Sequence, residues 1–366
     1  MSGLGRSATY PEIGHAAFGA AGWFASWIGV VFMTVGVCTA YFVFVANTAV
    51  DLLAGGHPFF TRGRTILMLL PVFVLLSWGP YKYLSHFSVI GITALVFGLA
   101  VVMYDAFTYN SIAPLSTYEA FSWGTYPLFL GNTAFVFLIH SVVLPMRNQM
   151  SKPRFCPYTL AVAIVLVTVL NLLFAVPVYL SYGPATMGNI ILNLHEGPLK
   201  TSVQVALCVD LFFTYALFLF PMCEALENDI RRLRGGDRHP NQPNLRGLSV
   251  SGDGGGGVKG GAQGEELPWA FRAGLRAGLV AATALLCYLV EDFSAMSALS
   301  GGFGNNLVGF ILPPLFITSM KHKGGWWEEN GVGGKLKWAE IGFNGMVSAG
   351  GVALLVSSIK TFVKNL

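Results

Sequence analysis

Residues 21–50 read AGWFASWIGVVFMTVGVCTAYFVFVANTAV, and no charged residue lies between Glu12 and Asp51. About 20 apolar residues at 1.5 Å rise cross a hydrocarbon core of roughly 30 Å, so this stretch is long enough to span a bilayer. Comparable charge-free intervals separate Lys82 from Asp105, Glu119 from Arg147 and Arg154 from Glu196. The 366-residue chain is 54% hydrophobic and 11% charged, well below the ~25% charge of a soluble domain, which excludes an ordinary soluble enzyme.

Hydropathy and breaker residues give nine candidate helices, at about 21–50, 65–81, 86–106, 126–146, 156–182, 200–224, 271–290, 294–320 and 338–360. No segment alternates with period two, so an all-α polytopic membrane helical bundle is the spanning architecture the sequence supports. Nine crossings put the termini on opposite sides. With the N-terminus inside, seventeen of the 22 Lys and Arg residues fall on inside segments, leaving Arg62, Arg64, Lys200, Lys360 and Lys364 outside. The positive-inside rule therefore predicts a cytosolic N-terminus. The expected organisation is a cytosolic segment at 1–20, six helices over 21–228, a linker at 229–268 and three helices over 269–366. The stretch Leu233–Glu266 contains eleven glycines in 34 residues, a composition that predicts a flexible cytosolic linker. No signal peptide is visible at the N-terminus, so the first spanning helix would drive insertion.

Catalytic and metal-binding signatures are absent: there is no H-E-x-x-H or G-x-S-x-G, and no Cys/His cluster with metal spacing. The chain is not expected to be an enzyme, nor to bind nucleic acid, a metal or a cofactor. Cys38, Cys208, Cys223 and Cys287 lie in apolar runs and read as small core residues. The informative features are polar and small residues inside apolar helices, which in lipid must face the bundle, pair, or line a pathway. Asp210, near the middle of TSVQVALCVDLFFTYALFLFP, has Thr214 at i+4 on the same face. Either it couples a proton or cation to transport, or it makes a tertiary hydrogen bond to a neighbouring helix. His140 is a packing residue or a relay. Gly36, Ala40 and Thr48 form a small-residue face beside Tyr41, Phe44 and Asn47, read as a packing face ahead of a binding one. SALSGGFGNNLVGFILPP, residues 297–314, reads equally as a broken helix or a tight packing seam.

Several stretches resemble the amino acid/auxin permease superfamily, and within it the proton-coupled amino acid transporters. Gly36 to Asn47 resembles the third helix of that family, and Leu84-Ser85-His86-Phe87-Ser88 the start of its fifth. Leu144-Pro145 with Met150 and Lys152-Pro153-Arg154-Phe155 resembles the end of its sixth. Tyr179 to Gly183 with Ile190 to Leu194 is similar to the tract after its seventh. Phe213-Thr214-Tyr215 with Pro221 and Glu224 resembles the eighth, and Gly301 with Leu312-Pro313-Pro314-Leu315 the tenth.

The resemblance implies a LeuT-like fold in which the nine helices correspond to family helices 3 to 11, the same orientation that the basic residues give. It also implies that helices one and two are missing, through N-terminal truncation or degeneration. Where the family often shows F-E-G-x-G ahead of the L-P, this chain has Phe137-Leu138-Ile139-His140-Ser141. The function implied is secondary active transport of small neutral amino acids by alternating access, with a proton, or possibly sodium, as coupling ion and no other cofactor. Expected substrate-site residues are Tyr41, Phe137, His140 and Thr214, with Asp210 and Thr214 for ion coupling. Alternatives are an amino-acid sensor that binds without transport and a non-functional remnant. The expected location is the plasma membrane or a vacuolar or lysosomal membrane.

Overall fold

The computed structural model describes all residues except 1–8, 54–58, 79–80, 111, 113, 119–120, 140–142, 144–145, 148–149, 235–266, 330–332 and 366. Among the described residues there are helices and turns, with no strand. In chain order the helices are α1 (Tyr10–Phe18), α2 (Ala20–Leu53), α3 (Arg62–Leu76), α4 (Tyr81–Tyr109) and α5 (Tyr126–Val136). They continue as α6 (Cys156–Tyr182), α7 (Pro198–Arg234), α8 (Trp269–Leu289), α9 (Phe293–Leu299), α10 (Leu312–Lys323), α11 (Trp326–Glu329) and α12 (Gly334–Asn365). Residues 300–311 join α9 to α10 without leaving helix, through π-helical turns at Ser300–Asn305 and Leu307–Ile311. Among the described residues, seven helical stretches are long and apolar enough to cross a membrane. The molecule is an all-α polytopic membrane bundle.

Local chemistry sets several boundaries. α6 begins at Cys156-Pro157, where proline needs no N–H partner, and stops at Gly183, whose φ of 61° is followed by Pro184. α1 and α2 are separated by Gly19 at φ 65°, which lets the short α1 fold back against α2. There Gly14 and Gly22 approach so closely that a Cβ on either would collide with the other's backbone. The segment before residue 21 is thus partly a packed helix, and helix also continues past 229 to Arg234. The rest of the expected linker, 235–266, lies outside the described residues.

Four helices, α2, α3, α7 and α8, share one apolar core. Phe42, Phe73, Tyr215, Leu219 and Val280 are fully buried in it, together with Cys38, Cys223 and Cys287. The cysteines are free and act as the small core residues their apolar runs implied. The Phe42 and Phe73 rings sit 4.5 Å apart, Phe73 and Tyr215 likewise, and the Tyr215 hydroxyl pairs with Thr283 Oγ1 at 2.9 Å. One end of this unit is tied by Glu227, 4% exposed, which accepts from Arg276 Nε at 2.9 Å and Arg272 Nε at 2.8 Å. Arg276, 3% exposed, also donates to the Ser77 carbonyl at 2.6 Å and lies over the Trp78 ring, so the tie reaches α7, α8 and the end of α3. The opposite end is tied by Arg62, whose Nη2 donates to the carbonyls of Cys287 at 2.6 Å and Val290 at 3.0 Å, while its Nε reaches Asn47 Oδ1 at 3.1 Å.

On the other side of α2, a second layer of α5, α9–α10 and α12 packs through small residues. A Cβ on Gly36 would meet Ser300, on Gly304 the backbone of Met33, on Gly131 the carbonyl of Ala298, and on Gly301 the carbonyl of Gly131. The small-residue face of α2 is therefore a packing face, and 297–314 is a seam of wide helical turns. α4 packs on α7, and α6 packs on α4 mainly through its last turns, leaving the apolar middle of α6 exposed on every side, as lipid permits.

The fourth expected helix departs most from expectation: continuous helix ends at Val136, not 146. Asn305 Nδ2 donates to the carbonyl of Ala134. That oxygen would otherwise receive the N–H of Leu138 in an uninterrupted helix, so the ladder stops and Phe137 takes φ −92°, ψ 37°.

Removing Glu227 strands a buried guanidinium. Glu227→Gln is expected to destabilise the protein by about 3–5 kcal/mol, whereas Glu227→Leu with Arg276→Met recovers most of the loss. Thermal unfolding in detergent measures both; equal losses would show that the two side chains act independently.

Candidate functional site

The polar end of the bundle beside Arg62 holds a cavity of about 270 Å³. α2 contributes Asn47, Thr48 and Asp51; α7 contributes Gln204; the α8–α9 junction contributes Glu291, Asp292 and Phe293; and the segment between α6 and α7 contributes Gly188, Asn189, Ile191 and Leu192. Four of the polar groups are held by local structure. Asn47 Nδ2 donates to the Glu291 carbonyl at 2.9 Å, and the Glu291 carboxylate pairs with Arg62 Nη1 at 3.0 Å. Asp292 caps α9 by accepting the Ser294 N–H at 2.9 Å, and Asn189 accepts the N–H of Ile191 at 3.2 Å. Gly188 is required where it lies, because a Cβ there would come within 2.7 Å of Ser294 Cβ.

Three carboxylates, Asp51, Glu291 and Asp292, line this cavity, and one is paired with Arg62. The remaining negative potential favours an ammonium group at the mouth, while the amide groups of Asn47, Asn189 and Gln204 supply both donors and acceptors. The inner end is aromatic. Phe293 lies edge-on to Phe44 at 5.8 Å, and both pack into the buried cluster of Val101, Val102, Val178 and Leu194. A larger groove of about 670 Å³ runs along α7 from Gly197 to Ala206. One helix and its lead-in form that groove, it lies open, and no charged side chain lines it, so it encloses a small polar molecule less well.

Beyond the aromatic floor lie the residues singled out from the sequence. Asp210, Thr214 and Phe218 follow one another at i, i+4 and i+8 along α7. Thr214 Oγ1 donates to Asp210 Oδ1 at 3.4 Å, and Tyr41 of α2 meets Phe218 edge-on at 6.1 Å. Tyr41 also meets Phe135, at 6.3 Å. The structure thus places Asp210 and Thr214 on one stripe of α7, whose next member, Phe218, meets Tyr41. Phe135, rather than Phe137, is the α5 ring that reaches Tyr41, because Phe137 terminates α5. His140 lies outside the described residues. The Asp210 carboxylate occupies a notch on α4 made by a missing side chain: a Cβ on Gly91 would stand 2.1 Å from its Oδ1.

The cavity residues Asn47, Asp51, Gln204, Asn189, Glu291 and Asp292 were not singled out as a site from the sequence. A signal existed in the acids that flank the ends of spans, since Asp51, Glu291 and Asp292 all fall on the segments opposite to the basic ones.

A helical membrane bundle with a rigid four-helix unit, a small-residue seam and a polar cavity at one end belongs to the class of polytopic α-helical membrane proteins. Residues 3–357 match the family described as transmembrane amino acid transporter protein, and the chain belongs to that family. It is 24% identical to the amino acid transporter AVT3C of Arabidopsis thaliana over 89% of this chain and 70% of that protein. It is 26% identical to the proton-coupled amino acid transporter-like protein pathetic of Drosophila melanogaster over 98% of this chain and 71% of that one. The amino acid transporter ANT1 of Arabidopsis thaliana is 25% identical over 86% and 69%.

The notch opposite Asp210 yields a direct test. Gly91→Ala drives a methyl into the carboxylate and is expected to cost about 1–3 kcal/mol by overpacking. Gly98→Ala on the same helix, where the nearest atoms are 3.5 Å away, should be close to neutral. Paired thermal melts compare them; equal stability would show that Asp210 does not occupy the notch.

Proposed function

We propose that this chain is a secondary active transporter of small neutral amino acids, driven by a proton gradient and working by alternating access. The observation that carries the reading is the presence of an acid-lined polar cavity at one level of α2 and α7 and of an intramembrane carboxylate at another level of α7. Asn47 and Tyr41 on α2 are six residues apart, as are Gln204 and Asp210 on α7, so about 9 Å of rise separates the two levels. The names of the relatives agree with it, being amino acid transporters and, in one case, proton-coupled.

In this reading the carboxylates and amides at the Arg62 end receive the ammonium and carboxylate groups of a zwitterion. The Phe44–Phe293 floor separates that cavity from the level of Tyr41, Thr214 and Asp210. Asp210 carries the coupling proton, with the Thr214 hydroxyl as its hydrogen-bond partner in the charged form. No covalent step is involved. The Arg276 end faces the cytosol, in keeping with the distribution of Lys and Arg, and the cavity opens on the other side.

Uptake of radiolabelled glycine or alanine into proteoliposomes tests the proposal. An inward acid gradient should drive accumulation by the wild type, and Asp210→Asn should retain exchange while losing the dependence on pH. Asn47→Leu should raise KM with little change in expression. Drive by a sodium gradient in place of a proton gradient would overturn the coupling assignment, and absence of flux or exchange for every small neutral amino acid would overturn the transport reading.

A further inference from the structure

The segment between α6 and α7, residues 183–197, forms one wall of the cavity through Gly188, Asn189, Ile191 and Leu192, and a single carboxylate fastens its far end. Asp105, in the last turns of α4 and 5% exposed, accepts two hydrogen bonds and lies within hydrogen-bond reach of an imidazole nitrogen. The Tyr182 hydroxyl at the end of α6 donates to Oδ2 at 2.5 Å, the His195 backbone N–H donates to Oδ1 at 3.3 Å, and His195 Nδ1 stands 3.1 Å from Oδ2. The imidazole lies against the Tyr109 ring with centroids 4.3 Å apart, and its side chain is 50% exposed. Around this point Val102, Ala106, Val178, Ile191 and Leu194 are buried and apolar.

Such surroundings make the carboxylate depend on its donors, because a charge withdrawn from water is costly unless paired and hydrogen-bonded. Next to the pair stand the phenols of Tyr109 and Tyr182, and Glu196, which pairs with Lys200 at 2.6 Å at the solvent edge; the elements packed around it also carry Tyr104 on α4, Tyr158 and Tyr179 on α6, and Cys208 and Asp210 on α7, with Tyr118 bonded to the Leu180 carbonyl. Among side-chain types, imidazole is the one that ordinarily changes charge between about pH 5 and 8. Protonated, it is a charged donor to a buried anion. Neutral, it leaves Asp105 without a counter-charge, and in one tautomer it sets a bare nitrogen lone pair against the carboxylate oxygen.

We infer that His195 and Asp105 form a proton-sensitive latch that fixes the 186–194 wall of the cavity when the side it faces is acidic and releases it as that side becomes neutral. What the wall controls rests on the transport reading; the latch itself does not. Acid on the cavity side therefore holds the wall in place through an ion pair, and rising pH loosens it.

Hydrogen exchange on the full chain in lipid nanodiscs, corrected for intrinsic exchange rates, reads the wall directly. Between about pH 5.5 and 7.5, protection of amides in 186–197 is expected to fall roughly tenfold, while that of α2 stays unchanged. His195→Gln, a neutral donor at every pH on a half-exposed site, should give a flat profile near the wild-type value at neutral pH. Asp105→Asn should flatten it too. Wild-type protection that does not vary with pH, or a dependence that survives His195→Gln, overturns the latch. Amino acid counterflow in the same preparation separates the two claims: a pH-dependent wall without flux supports the latch and removes the transport reading, and flux with a pH-independent wall removes the latch alone.

Discussion

Glu227 is one carboxylate holding two arginines in a place water hardly reaches, and the arrangement of the bundle follows from that constraint. Hydrophobic burial does little to choose between packings in lipid, because the tails are as apolar as the side chains they would replace. A buried ion pair is different: its attraction barely exceeds its desolvation cost when intact, but misplacing one member leaves an uncompensated charge. Arg276 reaches Glu227 on α7, the Ser77 carbonyl after α3 and the Trp78 face together. The tie therefore fixes register more than it adds stability. Arg62 does the same at the other end with carbonyls of the α8 terminus, and α2, α3, α7 and α8 are held as one body between the two.

The second layer is held by different physics. Among the described residues its contact with α2 has no ion pair; it consists of glycines and serines that let backbones approach, and of π turns whose wider spacing frees carbonyls. Several of those carbonyls and their neighbours are taken by side chains from other helices: Val308 by the Tyr10 hydroxyl at 2.7 Å, Ile311 by Ser348 at 3.2 Å, and Gly351 by Asn306 at 2.7 Å. Close van der Waals contact and single neutral hydrogen bonds cost less to rearrange than a charged tie. A body clamped at both ends beside a layer joined by a smooth seam allows relative displacement along the seam and resists it within the clamp.

The sequence disclosed the parts of this that arise locally. Span positions follow from charge-free intervals, and the limits of α6 follow from Pro157 and the Gly183-Pro184 pair. The free buried cysteines and the packing role of Gly36 were also legible, since both follow from small size in an apolar run. The break in α5 was not. Phe137 is neither glycine nor proline, and the helix stops there because Asn305, 168 positions further along the chain, takes a carbonyl from it. Within the site, Asp210 stood out because a carboxylate in an apolar helix is conspicuous. The cavity residues looked like the ordinary polar ends of four separate helices, and only their convergence in space makes a site of them. Asp105 was hidden for the same reason, as a charge that ends an apolar interval.

Both polar levels lie on the clamped body and face elements outside it. Asn47 and Asp51 end α2, Gln204 and Asp210 lie on α7, and each looks toward α4, the 183–197 segment or the α9 junction. On the proposed reading, a binding surface carried by a rigid body keeps its groups in fixed relation while the elements opposite it change position, so the same donors and acceptors serve from either side of the membrane. The Glu227 tie at one end and the cavity at the other are then two parts of one requirement. Charges that hold register must be buried and paired, and charges that would meet the zwitterion of the proposed transport must remain open to water. This chain separates them by the length of α7.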